Sequence, residues 1–199
     1  ANLSNANLSG VDLSGRDLTR ANLSGVDLSG HDLTGTNLSG IDLSGHDLTG
    51  TNLAKSNLSN ANLSGVDLSG HDLTGVYLTE SNLSNTDLTK SNLSWAHLQT
   101  AILKNTSIKF ADLRYADLTG LDLTNVDFSG VMLSNADLTG TNLSGVDLSN
   151  IDMSKSNLIR ANLENANLDN ANLYGVRTYH TNFNNALLTC VGSFVCDVP

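Results

Sequence analysis

Basic side chains are scarce. Ten Lys and Arg stand against 20 Asp and Glu, for a formal charge of −10. The chain therefore lacks the basic footprint of a general nucleic-acid binder, and no direct nucleic-acid binding is expected. A basic partner, or imitation of a polyanion, is compatible with the charge. No apolar run approaches the roughly eighteen residues of a membrane-spanning helix, so no span is expected. Aromatics make up only 5% of the chain, although 39% of it is apolar and can build a core. Cysteine occurs only at Cys190 and Cys196. Two readings of that pair stand: a disulfide closing a short hairpin, which points to an oxidising compartment, or two unpaired buried thiols. Also missing are a nucleophile with a paired base, a Gly-rich phosphate loop and zinc-ligand spacing. An enzyme is not expected, nor is a cofactor. The recurrent Asn-Leu-Ser triplets match a glycosylation acceptor, but the repeat described next generates them automatically.

What the chain has in abundance is one five-residue phrase. With Leu3 as a centre, every fifth residue to Leu188 falls in phase, and 33 of these 38 centres are Leu. The others are Ile108, Phe128, Met153, Thr178 and Phe183. One residue before the centre, 16 positions are Asp and 15 are Asn; two residues after it, 16 are Gly and 10 are Asn. Neither regular structure suits this period. On a helix, a five-residue step winds the leucines around the axis, and on a strand it throws them alternately to opposite faces. The chain must turn once per pentad. Gly and Asn, which tolerate positive φ, supply the third residue of that turn. The expected fold is all-β: a β-solenoid whose leucines point inward and whose successive coils pair about 4.8 Å apart. Each buried Leu contributes roughly 1.5–3 kcal/mol.

The phrases "ANLSG", "ADLTG" and "ANLEN" resemble the pentapeptide-repeat family over residues 1–190. The resemblance implies a right-handed quadrilateral β-helix with 20 residues per coil, hence nine to ten coils and a rod of about 45 Å. Residues 191–199 are expected to form a tail or cap. The repeat begins at Ala1, so an uncovered first coil is expected there. From Val11 to Leu53 the wording recurs every 15 residues, which taken alone suits a three-sided coil. The four-sided expectation rests on the family.

With 20 residues per coil, one outward column contains Asp27, Asp47, Asp67, Asp87, Asp127 and Asp147, and the next side adds Asp12, Asp32, Asp72, Asp112 and Asp152. A third side is mostly amide, including Asn22, Asn62, Asn82 and Asn162. Stacked carboxylates repel, whereas stacked Asn can form a hydrogen-bonded ladder. The acidic columns read either as a surface for cations or a basic partner, or as solvated residues that simply suit the repeat. Residues 95–115 depart most from the phrase. They bring Trp95, Lys104, Lys109, Phe110, Arg114 and Tyr115 together in a basic, aromatic band, and no acid occurs between Asp87 and Asp112. Trp95 and Tyr115 are 20 apart and should stack, as should Lys90 and Phe110. The band is a candidate interface, since aromatics and Arg anchor interfaces, or else a decayed coil. His31, His46 and His71 stand where a small residue is usual and are expected to lean outward from the corners. His31 and His71 lie about 10 Å apart at the strand spacing, too far to share one metal ion, so no metal site is expected.

Three functions fit. The first is a structural protein whose rods self-associate end to end or meet another protein, with an extracellular or surface location favoured over the cytoplasm. In the second, the chain is similar to those family members that imitate DNA and inhibit a type II topoisomerase (gyrase). Those dimerise through a C-terminal helix, which this tail is not expected to form. In the third, a regular Ser/Thr/Asn surface binds ice or another lattice, although its threonines are mixed with Ser, Lys and Asp.

Overall fold

The computed structural model describes residues 1–188. Cys190, Cys196 and the 191–199 tail lie outside the described residues. Each pentad turns the chain through one corner. The N–H of the residue that opens a pentad donates to the Leu carbonyl three residues earlier, as from Ala6 to Leu3 (2.9 Å) and from Val66 to Leu63 (3.1 Å). The third residue of that turn is the corner. From residue 5 to residue 185 every corner except Asn125 has positive φ, between 51° at Arg20 and 76° at Gly10. Gly and Asn suit this region, but Lys55, Glu80, Trp95, Thr100, Phe110 and Tyr115 also adopt it. Left-handed backbone costs a residue with a Cβ about 1–2 kcal/mol. Closing the turn returns the next Leu to the axis, and its burial offsets that cost.

Coils pair in parallel between residues 20 apart, for example Asn57 with Tyr77 and Tyr77 with His97. Leu58 N–H donates to the Tyr77 carbonyl (2.8 Å), Asn60 N–H to that of Thr79 (2.9 Å), and Tyr77 N–H to that of Ser56 (3.0 Å). The same register holds in the early residues, where Asp17 pairs with Asn37 and Asp42 with Asn62. The circuit therefore has four sides even where the wording recurs every 15 residues. We number the sides from residues 1–5, 6–10, 11–15 and 16–20 of each circuit. The centres from Leu23 to Leu98 are at most 1% exposed, so the leucines form a continuous axial column. At several second inward positions a hydroxyl finds a carbonyl, as when Thr36 donates to that of Leu13 (2.8 Å) and Ser81 to that of Leu78 (2.7 Å), whereas the Ser56 and Ser156 hydroxyls are buried without a partner.

The ladder fails at particular rungs. Asn7/Asp27, Asp12/Asp32, Asn22/Asp42, Asp27/Asp47, Asp47/Asp67, Asn52/Asp72, Ile102/Asp122, Ser107/Asp127 and Asp127/Asp147 do not pair. In every one the later residue is Asp, and among the described residues no rung with any other later residue is missing. The chemistry of the two side chains accounts for this. A later Asn donates its amide to the residue below: Asn62 to Asp42 (2.9 Å), Asn82 to Asn62 (3.1 Å) and Asn167 to Asp147 (3.0 Å). A carboxylate has no proton to donate and meets another oxygen instead. Some later aspartates do pair. Asp112 is neutralised by Arg114 and Asp117 accepts from Gln99; nothing in the structure explains Asp87, Asp137 and Asp152. Shallow clefts open beside unpaired rungs, at residues 6–12 with 25–32, 49–51 with 67–72, and 126–129 with 147–151.

It follows that Asp47→Asn closes a rung, with the new amide donating to Asp27 as Asn167 does to Asp147. A gain of about 0.5–1.5 kcal/mol is expected, read as a higher midpoint in thermal unfolding. An unchanged or lower midpoint would contradict this account of the open rungs.

Candidate functional site

The aspartates of sides 2 and 3 stand outward in columns, as expected, but each is tied to its own pentad. The Asp27 carboxylate accepts from the Ser29 N–H (2.9 Å) and hydroxyl (2.7 Å). Asp12 does the same with Ser14, and Asp32 and Asp72 with Thr34 and Thr74. These are Asx turns, a local reason for Asp or Asn to precede Leu and for Ser or Thr to follow it. The hydroxyl and then the amide hold Asp12, Asp27, Asp32, Asp47 and Asp67 below the ordinary carboxylate range. The columns are therefore anionic at neutral pH. Among the described residues no group of His, Cys, Asp and Glu is arranged to hold a metal ion.

The histidines differ from the expectation. They do not lean outward but fold back over the preceding coil, half-buried. The Nε2 atoms of His31, His46 and His71 meet the carbonyls of Leu8, Leu23 and Leu48 at 3.0, 3.0 and 2.8 Å. Thr36, Thr86 and Thr106 direct their hydroxyls to the same kind of carbonyl, 23 residues back. Imidazole thus substitutes for a threonine hydroxyl, which explains its presence at a small-residue position. The Leu8 carbonyl, against the opposing effect of burial, raises His31 above the usual imidazole range.

The band at residues 95–115 is aromatic, but its charge is largely cancelled. Arg114 grips Asp112 through Nε (2.9 and 3.1 Å) and Nη2 (2.6 Å). Partial burial opposes ionisation of Asp112, yet Arg114 holds its carboxyl below the ordinary value. Lys109 Nζ lies 2.8 Å from Asp127. That lysine and the Ser129 hydroxyl and amide bring Asp127 down to about 2. Trp95 and Tyr115 stack as expected, with centroids 4.3 Å apart and planes within 2°. Lys90 and Phe110 do not form the expected stack. The Phe110 ring turns the other way and lies over Gly130, where an added Cβ would come within 2.3 Å of it. A second stack, Tyr77 on His97 at 4.6 Å and 4°, was not anticipated, although the 20-residue spacing of those two residues at the outward position was the signal for it. Trp95, Tyr115, Tyr77 and Phe110 are all about half exposed. The structure brings Trp95 and Tyr115 together. Phe110 occupies the other corner of side 3, while Lys104 stands on side 1, away from the stacks.

Repeat models described as pentapeptide repeats match residues 1–40, 32–70, 72–105, 111–150 and 151–189. Among solved structures, the chain is similar to HetL, a pentapeptide repeat protein involved in heterocyst differentiation regulation from the cyanobacterium Nostoc sp. strain PCC 7120. The identity is 28% over 90% of this chain and 86% of that one, with a TM-score of 0.43. It is also similar to Rfr23, a pentapeptide repeat protein from the cyanobacterium Cyanothece 51142, at 30% identity over 69% and 64%, TM-score 0.26. A third likeness is to trypsin-treated QnrB1, a plasmid-mediated fluoroquinolone resistance protein, at 15% identity over 76% and 73%, TM-score 0.43. Comparison with curated proteins yields no significant match.

Two outcomes test this description. Tyr115→Ala should lose about 0.5–1.5 kcal/mol of stacking and shift the emission of Trp95, the only tryptophan. Unchanged emission would mean that the rings are not in contact. In the acid range, the folded Asp127 value lies below the ordinary 3.8, so its stabilising contribution is complete above 3.8. It is lost as pH falls through about 2. Lys109→Met should move the Asp127 carboxyl titration, followed by NMR, upward toward 3.8.

Proposed function

The chain belongs to the pentapeptide-repeat family, and from that premise we propose that it is a non-enzymatic structural rod of nine to ten right-handed, four-sided coils that assembles end to end. The observation that carries this reading is the self-similarity of the ladder. One coil offers the next a fixed pattern of N–H, C=O and Asn amide groups in the 20-residue register, and a coil of a second copy presents the same pattern. Strand edges of this kind are templates for pairing between chains. Ser, Thr, Asn and Asp on the outside keep the flanks hydrated, which directs association to the ends. Self-association or another protein is the partner class; an extracellular or surface setting is part of the proposal. Electron microscopy of the purified protein tests it. Filaments one rod wide, with an axial repeat near 45 Å, are the expected result, and single rods at every concentration would overturn it.

A second reading is supported by the acidic columns. Sides 2 and 3 are adjacent, and where both carry Asp the rod presents two charges per 4.8 Å of axis. Duplex DNA carries one per about 1.7 Å. On this reading the rod imitates DNA toward a type II topoisomerase. A gyrase supercoiling assay decides it: inhibition that is lost when Asp27, Asp47 and Asp67 are together replaced by Asn supports the mimicry, and full supercoiling in the presence of excess protein rejects it.

A further inference from the structure

We propose that the corner between sides 3 and 4 is a lateral pairing surface, through which two copies of the chain bind side by side and antiparallel by way of Tyr77, Trp95, His97 and Tyr115. The proposal does not rest on end-to-end assembly, which uses other atoms.

The first argument is conformational. Trp95 and Tyr115 both sit at φ 62°, where most corners of the rod carry Gly or Asn. The chain holds two bulky aromatics in left-handed backbone and then leaves them 58% and 45% exposed. The axial core does not require either ring, since it is filled by Leu93, Ala96, Leu113 and Ala116, all at most 2% exposed. Backbone strain retained to display exposed side chains marks a surface with a use.

The second argument is geometric. The two stacks lie side by side, because Trp95 and His97 are two residues apart on one coil. Their ring separations of 4.3 and 4.6 Å match the coil spacing, so the rings lie across the rod axis. Tyr77–His97 begins one coil before Trp95–Tyr115, giving a stepped aromatic platform. Below Trp95 the same corner holds Gly75, approached only by the Lys55 Cγ. The lower face of Trp95 therefore has no side chain from Gly75 against it. A two-fold axis midway between the levels of Gly75 and Trp95 brings the Trp95 faces of two copies toward each other at one coil spacing, each ring over the other copy's Gly75, as a self-complementary contact requires.

Charge selects the occupant. Two rods of charge −10 repel along most of their length. Residues 88–111 contain no acid, and of the four carboxylates that follow, Asp112, Asp117, Asp122 and Asp127, the first and last are neutralised by Arg114 and Lys109. Around the platform stand Lys55, Asp72, Glu80 and Asp117, the last engaged by Gln99. This is where a second acidic rod approaches at least electrostatic cost. A basic partner would find more to bind on the aspartate columns. Four rings make a contact at the small end of specific interfaces, so the pairing is expected to be weak and concentration-dependent.

Trp95 reports directly on this surface. Sedimentation equilibrium and acrylamide quenching of Trp95 emission are measured on the wild-type chain over a range of concentrations, at low and high salt. A closed dimer is expected, with Trp95 emission moving to the blue and quenching reduced as it forms. High salt should tighten it by screening like charges. Tyr77→Asn installs the residue found one coil earlier, at Asn57, and keeps the reporter; it should weaken pairing about tenfold or more. Trp95→Gly installs the commonest corner residue, so the rod folds, and it should be monomeric. The proposal is overturned by a wild-type monomer with constant quenching, by pairing that persists in Trp95→Gly, or by association that weakens with salt. Open filaments that survive Trp95→Gly would support the end-to-end reading while removing this one.

Discussion

Everything in this rod depends on the corner being closed. The hydrogen bond from each pentad's first N–H to the carbonyl of the preceding central residue closes the turn, and at every corner from residue 5 to 185 except Asn125 its third residue lies in left-handed backbone. Without that reversal the chain would run on as a strand and half of the leucines would face water. With it, every Leu returns to the axis and the next coil falls in register 20 residues on. The penalty at Trp95, Phe110 or Thr100 is local. The gain is shared by a column of leucines that is almost wholly removed from solvent, and so the turn holds even where its residue is poorly suited.

The outward residue before each Leu has two tasks, and Asn and Asp perform them differently. Either side chain accepts the N–H two residues on and fixes the turn. Only Asn also donates to the coil below. Alternation between the two therefore sets local cohesion along the rod as well as its charge. Lys109 and Arg114 modify this pattern where they neutralise Asp127 and Asp112. The aromatic corner lies beside the acid-free run of residues 88–111.

The solenoid, its inward leucines and the Trp95–Tyr115 stack were legible in the sequence because each follows from a strict period. The four-sided circuit was not, since a period of five is silent about how many pentads close a coil, and the 15-residue wording near the start argues for three. Ladder pairs such as Asp17 with Asn37 decide it. For the histidines, spacing shows only that a large side chain stands at a position where a small one is usual. His31 and His71 occupy it through a hydrogen bond to a Leu carbonyl 23 residues back, a contact across coils that spacing alone does not reveal. Spacing is equally silent on whether Phe110 covers Lys90 or Gly130: the 20-residue step gives neighbours on both coils, and only the open space over Gly130 decides which one the ring covers.

The unpaired rungs are not spread evenly around the circuit. Side 4 is continuous from Asp17 to Arg177, whereas side 2 is interrupted between Asn7 and Asp67 and again between Ser107 and Asp147. A beam bonded along one flank and slit along the opposite one does not flex equally in all directions. Thermal bending should favour the plane through sides 2 and 4, with side 2 stretching and side 4 serving as the inextensible spine, so that the carboxylate flank is also the elastic one.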